Sequence, residues 1–257
     1  MGNQTSAQIA PLRTYNVMSS TNTPKKFALI IIDVQNDFCK GGALEVKEAD
    51  HTVAPINKLR YMYDQHIKTV VSQDWHNPDH MSFAATHKVD EFSTQELHLE
   101  MEDGTFTDVK QKVWPIHCVK NTVGSCLHSD LIVTQTDKII RKGTRTNVES
   151  YSVFGDELKG KYEKTDFYDW LQRNDITDII LTGVATDYCV YYTALDAIRL
   201  GFTVHLIMSC TRGVAEDTTE KALADMATKG VLFYPNVESF NTKQQDKIIN
   251  NWLMNQL

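Results

Sequence analysis

From Phe27 onward the chain alternates short apolar runs with amphipathic stretches. The runs fall at Phe27–Asp33, Lys68–Gln73, Lys138–Arg141, Asp178–Thr182 and Thr203–Met208, with a weaker one near Val231–Tyr234. Their Ile, Val and Leu side chains would line both faces of a strand, the pattern of a sheet buried between helices. Helical spacing falls at 50–66, 163–174, 187–200, 217–229 and 241–255. In the first of these Val53, Ile56, Leu59, Met62, Tyr63 and Ile67 recur three and four apart, which predicts one apolar face. Strand–helix alternation of this kind predicts a three-layer α/β/α fold with a mainly parallel central sheet. Two stretches break the pattern. Residues 1–24 are polar and rich in Ser, Thr and Asn, and are expected to form a flexible tail ahead of one domain spanning 25–257. Residues 75 to about 136 show no strong strand or helix periodicity and are too long for a plain loop; they predict an excursion covering a site.

In parallel sheets, sites gather at the carboxyl ends of strands. Asp33, Asp74 and Lys142 end the first three runs, and the Gly183–Cys189 turn follows the fourth. Cys189 opens a helical segment directly after a strand, where the positive end of the helix dipole favours thiolate over thiol. A carboxylate at Asp33 could take the thiol proton and return it to a leaving amine, while the Lys142 ammonium steadies both anions. Each residue has a structural alternative: Cys189 as a small core residue, Asp33 as a cap or turn former, Lys142 as a solvated strand end.

A second constellation starts at Asp74-Trp75-His76. In extended chain, residues i and i+2 point to the same side, so this carboxylate and imidazole can meet one cation. His117, in Trp114-Pro115-Ile116-His117-Cys118, is the candidate third ligand. An Asp/His/His set with open positions suits zinc, with manganese or iron as other candidates. Chance placement of two histidines and an aspartate is the alternative. Pro78 argues against His76 and His80 forming a helix-face pair, and Cys118, facing away from its neighbour His117, is read as core packing. Gln35 and Asp37 are read as satisfying the local turn. Phe38, Trp75, Trp114 and Tyr151 are core candidates, some of which could line an aromatic slot. His51, His66, His87, His98, His128 and His205 show no partner pattern.

Composition narrows the partners. With 42% apolar and 23% charged residues, a net charge of −7 and no Lys/Arg-rich run, nucleic acid is not an expected partner. Five irregularly spaced cysteines without a Cys-x-x-Cys pair point to reduced thiols in the cytoplasm. No apolar stretch approaches the roughly 20 residues of a membrane span. The start, Met1-Gly2-Asn3-Gln4-Thr5-Ser6, fits an N-myristoylation pattern, although one acyl chain would anchor only weakly.

Taken together, the motifs carry a resemblance. Ile31-Ile-Asp33-Val-Gln35-Asn-Asp37-Phe38, Gln73-Asp74-Trp75-His76-x-Pro-Asp-His80-x-Ser-Phe83, Trp114-Pro115-x-His117-Cys118-Val119, Lys142-Gly143 and Gly183-Val184-Ala185-Thr-Asp187-Tyr188-Cys189-Val190 occur in order. From Phe27 to about Tyr234 the chain resembles the isochorismatase-like cysteine hydrolases, and within them the nicotinamidases. The resemblance implies an Asp33/Lys142/Cys189 triad and a divalent metal, usually zinc, on Asp74, His76 and His117. His80 matches a histidine that some relatives place near the metal, and its ligation is left open. A cis peptide before Ala185 is implied, shaping an oxyanion hole from the Ala185 and Cys189 N–H groups. Phe38, Trp114 and Tyr151 match positions that pack around the pyridine ring. Isochorismatases and N-carbamoyl amide hydrolases share the triad and sheet but generally lack the metal set. The implied activity is conversion of nicotinamide and water to nicotinate and ammonia through a thioester, feeding NAD salvage, with pyrazinamide as a further substrate. The alternatives are an amidase for another carbamoyl or heteroaromatic amide, or a retired hydrolase kept as a scaffold. The amphipathic cast of Asn241–Leu257 suits packing on its own domain or on a partner subunit of a homo-oligomer.

Overall fold

The computed structural model describes residues 25–63, 67–100, 104–156 and 165–240. The expectations for residues 1–24, the acylation of Gly2, His66 and the helical segment 241–255 lie outside these. In chain order the elements are β1 Phe27–Ile32, α1 Val53–Tyr63, β2 Lys68–Asp74, α2 Ala84–His87, β3 Thr94–Glu100, β4 Phe106–Lys112, β5 Lys138–Lys142, α3 Phe167–Arg173, β6 Asp178–Val184, α4 Cys189–Arg199, β7 Thr203–Arg212, α5 Glu216–Thr228 and β8 Leu232–Tyr234.

Six strands form one sheet in the order β5-β2-β1-β6-β7-β8, every pairing parallel. The apolar runs explain the layers. Along β1, Ala28, Ile30 and Ile32 point into one core with α4 residues Val190, Ala194 and Ala197, with Phe167 and Leu171 of α3, and with Met226 of α5. The alternate residues Phe27, Leu29 and Ile31 point into the other core with Val53, Ile56 and Leu59 of α1. Full burial of each Val, Leu, Ile, Phe or Met among them contributes about 1.5–3 kcal/mol. The three-layer α/β/α expectation is met. One detail differs: Met62, placed on the apolar face of α1 by its spacing, is exposed.

The excursion holds a structure that its sequence conceals. β3 and β4 pair antiparallel as a two-stranded ribbon outside the main sheet. Its strands alternate exposed with half-buried residues, and the polar pairs Glu96 with Lys110 and His98 with Asp108 face each other across the strands. Few apolar positions were needed, so no apolar period marked it.

The chain departs from β1 to one side through β2 and β5, and to the other through β6, β7 and β8. The strand order therefore reverses between β1 and β6, and the crevice at such a switch point is where open parallel sheets bind ligands. Close approach there requires glycine at position 183. Gly183 has φ +97°, and a Cβ on it would lie 2.0 Å from the Ile32 carbonyl oxygen. Among the described residues, no helix is long and apolar enough to cross a membrane.

Candidate active site

Parallel strands deliver their last residues to one edge. Asp33 follows β1, Asp74 ends β2, Lys142 ends β5, and Cys189 opens α4 after β6. Asp74 and Lys142 are register partners across β2 and β5, so their side chains start at the same level. All four are buried.

Lys142 is the hub. Its Nζ lies 2.8 Å from Asp33 Oδ2, donates to Asp74 Oδ1, and sits 3.2 Å from Cys189 Sγ and 3.2 Å from the Ser150 carbonyl oxygen. Burial alone would drive off its proton, but Asp33 and Asp74 overrule that and hold the ammonium well above its ordinary pKa. Burial raises Asp33 to about 6, with Lys142 limiting the rise. Asp74 goes the other way: burial would raise it, but Lys142, His76 and His117 hold it far below the usual carboxylate range. Two carboxylates around one ammonium are thus split into an acid that can exchange protons near neutrality and a permanent anion.

The helix-dipole preference for thiolate does not act alone at Cys189. Burial pushes this thiol well above its ordinary value, and the nearby Lys142 opposes the rise without cancelling it. A helix N-terminus offers about half a charge, too little to offset the loss of water together with two carboxylates. Cys189 rests as a thiol, with Asp33 as the neighbouring acceptor; ligating atoms of Asp33, Asp74 and Cys189 lie within 4.8 Å of one another.

Next to the triad, Asp74 Oδ2 lies 3.6 Å from His76 Nε2 and 4.0 Å from His117 Nε2. Backbone carbonyls fix both rings. His76 Nδ1 donates to Gly143 O at 2.9 Å, and His117 Nδ1 to Pro115 O at 2.8 Å. Each ring therefore turns its Nε2 toward Asp74, and His76 Nε2 is a buried nitrogen with no hydrogen-bond partner. Burial lowers His117 to about 4, which keeps its lone pair free, whereas the Asp74 carboxylate outweighs burial at His76 and raises it to about 9. An orphaned buried nitrogen, a second bare nitrogen and a carboxylate oxygen within 4.8 Å make a donor set that fits a divalent ion.

His80 is not aimed at that set. Its Nε2 bonds Val148 O at 3.1 Å, and its Nδ1 meets Ser82 Oγ at 2.8 Å. Cys118 is fully buried beside the site without joining it. Gln35 and Asp37, read as local turn residues, reach further. Gln35 accepts the Asp74 N–H at 2.8 Å and donates to Asp74 O at 2.9 Å, while Asp37 Oδ2 accepts the Cys118 N–H at 2.7 Å. They clamp β2 and the His117 loop onto the end of β1.

Phe38, Trp114 and Tyr151 are buried in the same cluster as Ala185 and Cys189. Trp114 Nε1 donates to the Tyr151 hydroxyl at 2.9 Å, and Phe38 packs on His117 with ring centroids 5.5 Å apart. Tyr188, which no motif singled out as a wall, packs edge-on to Trp114 at 4.7 Å and against Tyr151 at 5.5 Å. The Val184–Ala185 peptide is cis. Two further residues escaped the sequence. Ser72 Oγ donates to Asp33 Oδ1 at 2.7 Å; its signal was a hydroxyl inside the apolar run Val70-Val71-Ser72. Glu149, buried beside His76 and His80, lies in a polar loop that carries no such signal.

Comparison with known proteins agrees with this geometry. The isochorismatase domain family matches residues 27–233. A nicotinamidase of Escherichia coli is 40% identical over 210 residues, covering 80% of this chain and 93% of its own length. The structure of the yeast nicotinamidase superposes with a TM-score of 0.75 at 32% identity, covering 80% of this chain and 98% of that one. A pyrazinamidase of Pyrococcus horikoshii, solved in complex with zinc, superposes at 0.65 with 31% identity, covering 81% and 98%.

Proposed function

Because this chain belongs to the isochorismatase domain family, we propose that its buried Asp33/Lys142/Cys189 cluster hydrolyses nicotinamide to nicotinate and ammonia, with pyrazinamide as a second substrate. One observation carries the assignment: a single ammonium, Lys142, touches the proton acceptor, the thiol and the carboxylate of the metal set together. The amide-cleaving group and the ring-holding group are thereby fixed at one distance.

The reaction follows from the protonation states. Asp33 takes the Cys189 proton as the sulfur attacks the amide carbon, and Lys142 stays charged beside the forming anion. The carbonyl oxygen gains the electron pair between the N–H groups of Ala185 and Cys189, neither of which donates to a backbone acceptor among the described residues. Asp33 then protonates the departing nitrogen, and ammonia leaves a thioester. Asp33, again a base, takes a proton from water as it attacks that thioester. Nicotinate is released and the proton returns to sulfur.

Asp74, His76 and His117 would hold the metal, which we assign as zinc from two imidazole nitrogens and one carboxylate. Bound there, zinc would supply an open coordination position for the pyridine nitrogen and so orient the ring. Phe38, Trp114, Tyr151 and Tyr188 would close around its faces. Such positioning can be worth several orders of magnitude in rate. Product nicotinate would feed NAD salvage.

The test is ammonia release from nicotinamide by wild type, Cys189→Ala and chelator-treated protein. Release should drop by at least about 10⁴-fold without the sulfur, and should return to the stripped sample on adding zinc. Turnover that survives Cys189→Ala would refute the nucleophile; turnover that ignores the chelator would refute the metal.

A further inference from the structure

We propose that Glu149 is the counter-charge of the metal site, a positioning residue that never touches the ion. The inference rests on Asp74, His76 and His117 being that site. Formal charge motivates it. Asp74 is the one anionic ligand of the set, and its other oxygen is already bonded to Lys142, which also faces Asp33. Two carboxylates and one ammonium leave a single negative charge to set against a divalent cation. In a buried site that imbalance is costly. Glu149 is a buried carboxylate whose ligating oxygen lies within 4.8 Å of nitrogens of His76 and His80. Its Oε1 accepts the Ser150 N–H at 2.8 Å, which anchors it in place.

Glu149, His76 and His80 do not form a second cation site. His80 spends its ring nitrogens on Val148 and Ser82, and His76 Nδ1 is taken by Gly143. What Glu149 offers is charge, delivered through imidazoles. His80 packs against His76 with the rings tilted and their centroids 4.2 Å apart, and Gly143, which bonds the His76 ring, has no room for a side chain between the ring and Glu149. Negative charge held this close to a ligating imidazole favours a divalent cation on its far side.

The experiment is zinc competition against a chromophoric chelator, with zinc chloride as probe, on wild type, Glu149→Gln, Glu149→Asp and Asp74→Asn. Glu149→Gln keeps the size and the acceptor for Ser150 but removes the charge. It should weaken zinc binding about 10–100-fold, the usual cost of losing such an outer partner, while the metal-free melting temperature holds. Glu149→Asp should recover most of the affinity. Wild-type affinity in Glu149→Gln overturns the proposal, and so does Glu149→Asp binding as weakly as Glu149→Gln, because packing would then be the cause. If Glu149→Gln does not fold, Glu149→Asp decides alone: affinity within a few-fold of wild type supports the role, and a large loss overturns it. Should wild type take up no zinc, or Asp74→Asn bind it normally, the metal site itself falls and this inference with it.

Discussion

Asp33 is pulled two ways, upward by burial and downward by Lys142 and Ser72, and settles at about 6. A base with that value is deprotonated at neutral pH and takes up a proton as pH falls through 6. The acid limb of kcat/KM should therefore lie near 6. Ser72→Ala removes a donor that stabilises the ionised form, so Asp33 should rise further and the limb should move to higher pH. A limb that stays in place would mean that another group governs it. Lys142 has a larger role: Lys142→Met would leave Asp33 and Asp74 buried without their cation. The expected cost is about 3–5 kcal/mol, read from the denaturant midpoint, together with loss of turnover. Unchanged stability would show that one carboxylate had simply taken up a proton.

At the scale of elements, two glycines set how closely parts approach. Gly183 lets β6 lie against the end of β1, where an added Cβ would meet the Ile32 carbonyl oxygen at 2.0 Å. Gly183→Ala should cost more than about 3 kcal/mol, a fall of roughly 6–12 °C in melting temperature for a chain this size. Gly143 follows β5 with φ +62°, and its added Cβ would strike the His76 ring at 2.4 Å. Gly143→Ala should leave the far-UV spectrum intact but strip the metal, which metal analysis of the purified variant would detect. Full metal content would mean that the His76 ring can yield.

Across the whole molecule, a buried carboxylate–imidazole hydrogen bond lies at the opposite end of the strands from the site. Asp178, the first residue of β6, pairs with His205 of β7 at 2.9 Å, and His205 contacts the Tyr234 hydroxyl of β8 at 3.1 Å. Burial would raise Asp178, but the His205 and Thr177 hydrogen bonds outweigh it and hold the carboxyl below its ordinary value. A carboxyl depressed in the folded state contributes fully above its unfolded pKa, and that contribution fades as pH falls through the folded value. Asp178→Asn should thus cost about 1–3 kcal/mol at neutral pH, with the gap to wild type closing in acid and kcat unaltered. A gap of constant size would assign the loss to packing.

Strand and helix positions were legible because each apolar run or period records one burial environment, and the fold class followed from their alternation. Asp33, Asp74, Lys142 and Cys189 were legible because a parallel sheet sends every strand end to one edge, so a polar residue closing an apolar run is conspicuous. His117 and an aromatic slot were legible only as candidates, because the chain segments that bring them to Asp74 and Cys189 lie far apart in sequence. The β3–β4 ribbon escaped because its inner face mixes Gln95, Thr107 and Gln111 with Leu97, Leu99 and Val109, and so short a mixed alternation leaves no sustained apolar period. Charge state was beyond the sequence as well. Cys189 sits where a helix dipole favours thiolate, yet the structure buries it beside two carboxylates and makes it a thiol. Residue order fixes which groups reach the edge of the sheet. Their protonation, and the roles of Ser72 and Glu149, depend on distances and lost water between segments far apart in the chain, and only folding sets those.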